Sequence, residues 1–250
     1  MESKPLYRLP RIQCAAVHPH IAPRCWFPQE RVSGLASVLI RAIRVSLLLF
    51  VPGLALNLFA AEKPLYQNDF ETAKPGPPPE DMMVLSGDFS IKQDGTNKFL
   101  ELPGAPLDTF SVQFGPAATN SVTAAATIRG VGKGRRYPTF GVGVYGVAGY
   151  RLQVSPGKNA LELYKDQTLL GTVEYEWKSG EWLTMRLLAE QLTEGRWKLT
   201  GKVWLKGTPE PATALIQAED RPEQPPSGRA SVFGSPFSVT PIQFDDLLVE

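Results

Sequence analysis

In "WKLTGKVWLK", residues 197–206, apolar and polar positions alternate. Trp197, Leu199, Gly201, Val203 and Leu205 fall on one face of an extended strand, and Lys198, Thr200, Lys202, Trp204 and Lys206 on the other. The preceding "EWLTMRLL" alternates in the same way, with Leu183, Met185 and Leu187 on one face and Trp182, Thr184, Arg186 and Leu188 on the other. A period of two marks half-buried strands, and the short "QLTEG" between them reads as a hairpin turn. Centred near Thr193, this hairpin sets Trp182 opposite Trp204, Thr184 opposite Lys202 and Arg186 opposite Thr200. Two tryptophans then share a face otherwise suited to water.

The same style of patterning runs through the rest of the chain. From Met83 onward there is no helical period, only short apolar or alternating runs punctuated by Gly, Pro, Asn and Asp. The pattern predicts strands at 65–70, 83–91, 98–102, 109–114, 121–129, 138–146, 149–154, 160–164, 168–177, 181–190, 196–206, 212–217, 229–233 and 241–249. Residues 71–82, "ETAKPGPPPEDM", read as an extended proline-rich loop. Many short strands with regular turns predict an all-β fold, a jelly-roll β-sandwich of two antiparallel sheets.

The first 61 residues differ in kind. Basic Arg41 and Arg44 precede 17 uncharged residues, Val45–Ala61, which end in small side chains before Glu62. That is the layout of a secretory signal. The run is shorter than the roughly 20 apolar residues of a spanning helix, and Pro52-Gly53 interrupts it. The expectation is a leader over 1–61 and one domain over 62–250, exported to the periplasm, cell surface or extracellular space. An uncleaved anchor is the alternative, and only then is the membrane a partner. The long stretch before Arg41 also fits a start placed upstream of the true one.

Removal of the leader changes the chemistry on offer. Cys14, Cys25, His18 and His20 all precede residue 26, so residues 62–250 contain neither Cys nor His. Disulfides, thiol nucleophiles, histidine bases and zinc sites are excluded from the domain. Its 19 Lys/Arg stand against 23 Asp/Glu, a balance that argues against a nucleic-acid partner.

Four stretches carry a family resemblance: "YQNDFE" at 66–71, "KSGEWLTMRLLAE" at 178–190, "GRWKLTGKVWLKG" at 195–207 and "GRASVFGSPFSVTPIQFDDLLVE" at 228–250. Together they resemble secreted bacterial, laminin-G-like members of the concanavalin A-like lectin/glucanase superfamily. The resemblance covers most of residues 65–250. It implies a jelly roll that hosts lectins, lyases and glycosidases alike.

Five residues are candidates for binding carbohydrate. Trp182 and Trp204 would stack on a sugar, with Arg186, Arg151 and Tyr145 as polar partners. The competing reading is a tryptophan pair covered by a loop, or a register slip that buries one of them. "FGVGVYG", 140–146, alternates Phe140, Val142 and Val144 with Gly141, Gly143 and Tyr145. Its glycines either floor a ligand groove on that same face or allow close sheet packing. The basic loop "GKGRRYP", 132–138, is a solvated turn or a contact for an anionic polysaccharide.

Acidic candidates are fewer. Glu174 and Glu176 leave one strand face at a spacing compatible with glycosidase carboxylates. The superfamily's glucanases carry a third acid, in E-x-D-x-E or E-x-D-x-x-E, where this chain has Lys178 and Ser179. First and last strands commonly pair in jelly rolls, so Asp69 or Glu71 would approach Asp245 or Asp246 and supply oxygens for a structural Ca²⁺; simple turn carboxylates are the other reading. No other cofactor is expected.

These features lead to a secreted, non-catalytic, lectin-like domain whose partner is a polysaccharide or glycan. The alternatives are a glycoside hydrolase or polysaccharide lyase using Glu174 and Glu176 or a Tyr/Arg pair, and a structural envelope protein without a small ligand.

Overall fold

The computed structural model describes residues 63–104, 108–237 and 240–250. The expected leader over 1–61, with both cysteines and both histidines, lies outside the described residues. Fifteen strands follow in chain order: β1 Tyr66–Asn68, β2 Met83–Ser86, β3 Ser90–Asp94, β4 Asn97–Leu102, β5 Phe110–Ala118, β6 Val122–Gly130, β7 Thr139–Val144, β8 Tyr150–Ser155, β9 Ala160–Lys165, β10 Thr168–Glu174, β11 Trp182–Gln191, β12 Trp197–Leu205, β13 Ile216–Asp220, β14 Gly228–Ser235 and β15 Ile242–Val249. They form two antiparallel sheets. The first runs β13-β12-β11-β6-β15-β4-β3, with β1 also on β15, and the second runs β10-β9-β8-β7-β14-β5-β2. The all-β sandwich expected from the alternation is the fold.

The core is the space between the sheets. Leu183, Met185, Leu187 and Leu199 come down from the first sheet, and Val142, Leu152, Leu161 and Val232 rise from the second; all are buried. Side chains of this size contribute roughly 1.5–3 kcal/mol each on full burial. Gly201 marks a close approach of the two sheets. A Cβ there would meet Leu152 Cδ1 and Ile216 Cγ2 at 2.7 Å each, so the leucine of one sheet occupies the side-chain space the glycine of the other leaves open.

One predicted strand divides. Residues 83–91 read as a single run, but β2 joins the second sheet and β3 the first. Gly87 makes the break, with φ at 98° and a would-be Cβ only 2.8 Å from Phe110 Cβ, a backbone that only glycine adopts readily.

Candidate functional site

The tryptophan hairpin forms with a register shifted by two. Thr184 faces Trp204, Arg186 faces Lys202 and Leu188 faces Thr200, which corrects the expected Trp182–Trp204 pairing. A single 3₁₀ turn, Thr193–Gly195, joins the strands, so the hairpin centres one residue later than its composition suggests. A shift of two preserves the faces, and both tryptophans do point away from the core. They are diagonal and not opposite each other, however. The carbonyl of Trp182 accepts from Lys206 N at 2.9 Å. Its ring lies edge-on to Phe99 at 6.0 Å, with Lys206 Nζ 5.6 Å from the ring centre. Trp204 instead borders a recess of about 340 Å³ with Thr127, Thr184, Arg186 and Lys206. Arg186 is engaged there by Glu250 and, at 3.4 Å, by Glu210.

Arg151 and Tyr145 belong to the opposite sheet, so the five candidates do not share a face. Tyr145 is a core residue: it is 3% exposed, sits at φ 64° and packs on Trp197 at 5.4 Å. Its hydroxyl donates to Asn120 O at 2.6 Å, and burial pushes its pKa up. Tyr145 is therefore withdrawn from the binding set.

Arg151 lines a recess on the second sheet. Strand pairing builds the outward face of the second sheet in rows. Gln113, Ser231, Gly143, Arg151 and Tyr164 form one row, and Ser111, Phe233, Gly141, Gln153 and Glu162 the next. Arg151 Cζ lies 5.6 Å from the Tyr164 ring centre and 5.4 Å from that of Phe233, and Nη2 donates to Asp166 O at 2.5 Å. Its Nε is buried and has no hydrogen-bond partner among the described residues. Flat aromatic surfaces on both sides hold a guanidinium by cation–π attraction and limit its rotamers. Around it, Gln113, Gln153, Gln167, Ser111 and Ser231 contribute amides and hydroxyls to a recess of about 520 Å³.

The glycines of β7 make this packing feasible. A Cβ at Gly141 would come within 2.8 Å of Phe233 Cζ, and one at Gly143 within 2.7 Å of Ser231 Oγ and 3.4 Å of Arg151 Cγ. Neighbouring side chains thus lean over the glycine floor that was read as ligand space. Gln153, Tyr164, Ser231 and Phe233 had not been singled out in the sequence. Their signal was nevertheless present in "SVF", which puts Phe233 on the outward, polar face, as Trp204 is on its own strand.

Glu174 ends β10 and Glu176 follows it; both are exposed and neither lines the Trp204 recess or the Arg151 recess. A buried carboxylate lies elsewhere, at Glu162, 3% exposed. It accepts from Ser155 Oγ at 2.5 Å, Lys158 Nζ at 2.9 Å and Gln153 Nε2 at 3.2 Å. Burial raises its pKa, but the Ser155 and Lys158 donors outweigh that and hold it below the usual range.

The calcium expectation meets a different arrangement. β1 does pair with β15. Asp69 Oδ1, however, accepts from Glu71 N at 3.1 Å, and Asp245 and Asp246 both bind Lys206 Nζ, at 3.0 and 2.8 Å. The Lys206 ammonium thus holds both of the β15 carboxylates. Among the described residues no three Asp, Glu, His or Cys gather in a metal-holding group, and the residues present do not fit a calcium site.

No family model matches the chain, and no curated protein matches it. Solved structures do. A carbohydrate-binding module, CBM66 from Bacillus subtilis, aligns at 12% identity with a TM-score of 0.47, over 68% of this chain and 95% of that one. The Emp47p carbohydrate recognition domain aligns at 13% identity and 0.49, over 74% and 94%. The VIP36 exoplasmic/lumenal domain, in its Ca²⁺/Man3GlcNAc-bound form, aligns at 8% identity and 0.46, over 68% and 83%. The similarity is one of two-sheet outline, and no residue role passes from those proteins to this chain.

Proposed function

We propose that this protein binds a glycan on the outward face of its second sheet, in the recess around Arg151. The observation that carries the reading is the Arg151 guanidinium held between Tyr164 and Phe233 at the edge of a 520 Å³ recess rich in amides and hydroxyls. A sugar offers paired hydroxyls to a fixed guanidinium fork and C–H faces to an aromatic ring. The resemblance to the concanavalin A-like superfamily is in keeping with this reading, as is export directed by residues 1–61.

Binding without catalysis is the form proposed. The recess lining includes one carboxylate residue, Asp166, whereas glycoside hydrolysis generally uses two carboxylates flanking the scissile bond. The test is affinity electrophoresis of the purified protein through neutral and acidic polysaccharides, with a reducing-end and unsaturated-product assay on the same samples. Retardation that falls at least about tenfold in Arg151→Ala and is not restored in Arg151→Lys supports the reading, because a lysine point charge does not replace the stacked fork. Product release overturns the non-catalytic form. Retardation indifferent to Arg151 but lost in Trp204→Ala moves the site to the other sheet.

A further inference from the structure

We infer that the Arg151 recess continues along its strand into a second, basic recess, and that the two together take an acidic polysaccharide with a carboxylate or sulfate seated between Arg135 and Lys158. This rests on the glycan-binding reading above and gives it a substrate class.

The geometry of β8 supports continuity. Gln153 lines both recesses. The next row along the sheet is Ser235, Thr139 and Ser155, and the second recess, of about 320 Å³, lies there with Arg135, Tyr137, Thr139, Ser155 and Lys158 on its walls. From Arg151 to Ser155 is four residues of strand, roughly 13 Å, longer than one sugar ring. A chain is the ligand that uses such a length.

Charge selects the kind of chain. Residues 109–161 contain six Lys/Arg and no Asp/Glu, although residues 62–250 as a whole are acidic. Arg129 turns to the other sheet and bonds Gly180 O and Gln243. The others lie on β8 or in the loops before β7 and after β8, which the antiparallel pairing of Phe140 with Val154 brings to one end of the sheet. Lys133 and Arg136 exchange backbone hydrogen bonds at 2.9 and 3.1 Å, closing a tight turn whose corner is Gly134 at φ 63° and whose tip is Arg135. Arg135 is exposed and makes no ion pair among the described residues. Lys158 bonds Glu162, yet its side chain stays 63% exposed.

The two recesses differ in their acids. The first has Asp166 beside Arg151; the second has no carboxylate residue in its lining. Glu162 lies beneath them, but its oxygens are taken by Ser155, Gln153 and Lys158. Tyr137, 40% exposed and held edge-on by Trp177 at 6.5 Å, supplies a ring for the sugar carrying the anion.

Affinity electrophoresis of the full chain tests this with polygalacturonate and its carboxyl-reduced counterpart, and with dextran sulfate and unsulfated dextran. The expected result is stronger retardation by one acidic polymer than by its neutral counterpart, weakening as salt rises. Arg135→Gln, on an exposed turn tip, should weaken it about fivefold to tenfold, and Lys158→Gln should act in the same direction. The polymer that responds identifies carboxylate or sulfate. Equal retardation by acidic and neutral polymers, unaffected by Arg135→Gln but lost in Arg151→Ala, overturns the acidic assignment and leaves glycan binding intact. Failure of all four polymers and of a neutral glucan and mannan panel overturns both.

Discussion

Trp204 stands directly opposite Thr184, and Trp182 is left beside the ammonium of Lys206. Two outward tryptophans on one hairpin therefore have different surroundings. Trp182 is clamped between Phe99 and Lys206, while Trp204 borders an open recess with polar neighbours. Trp182→Ala should cost about 2–3 kcal/mol, below the range for a fully buried tryptophan because this one is half-buried. Trp204→Ala should cost about 1 kcal/mol or less and leave glycan retardation within about twofold of wild type. Urea unfolding midpoints and affinity electrophoresis measure the two effects separately.

The packing of the sheets gives a second prediction. Gly201→Ala places a methyl 2.7 Å from Leu152 Cδ1 and Ile216 Cγ2, so the sheets must separate or the leucine must leave its rotamer. The expected cost is about 1–3 kcal/mol. Leu152→Val in the same chain should recover part of it, since it removes the Leu152 Cδ atoms and leaves only the conflict with Ile216. A double-mutant cycle of unfolding free energies decides this, and strict additivity would show that the contact does not set the sheet spacing.

Glu162 makes a pH prediction. Its folded pKa lies below the unperturbed 4.5: burial opposes that shift, and the Ser155 and Lys158 hydrogen bonds outweigh burial. The stabilisation is present above pH 4.5 and is lost as pH falls through the lower folded value. Glu162→Gln should therefore destabilise by about 1–3 kcal/mol at pH 7, and the gap to wild type should narrow below pH 4.5. Denaturant midpoints at pH 7 and pH 3 check both the size and the sign.

Asp245 behaves in the opposite sense. It is 1% exposed, and burial raises its pKa above 3.8 even though Lys206 lowers it. Folded Asp245 holds its proton more tightly than the unfolded chain, so its contribution falls as pH rises through that interval. Lys206→Met leaves the carboxylate without its ammonium and should cost about 2 kcal/mol at pH 7, discounted for the partial exposure of Lys206. The loss should shrink in acid, where protonated Asp245 needs no counter-charge. EDTA should leave the Tm unchanged; a drop in Tm reversed by calcium would contradict the ammonium-held arrangement.

Alternation in the sequence was sufficient for most of the strands and for the faces within a regular strand, because a strand's period of two depends only on the local backbone. The inward Trp197, Leu199 and Val203 and the outward Lys198, Thr200 and Trp204 are where the pattern put them. The absence of Cys and His after residue 25 likewise limited the chemistry before any coordinate was known. What no local pattern contains is pairing across the chain. The hairpin register depends on how the turn at 192–196 closes, and a slip of two leaves every face unchanged while separating Trp182 from Trp204. The assignment of β7 and β8 to the second sheet took Arg151 away from the tryptophans and set it between Tyr164 and Phe233. Tyr145 alternates like a groove residue, but its positive φ carries it into the core. Within a regular strand, which residues face water was a property of the sequence; which of them share a recess depended on long-range strand pairing, whose energy comes from burying both sheets at once.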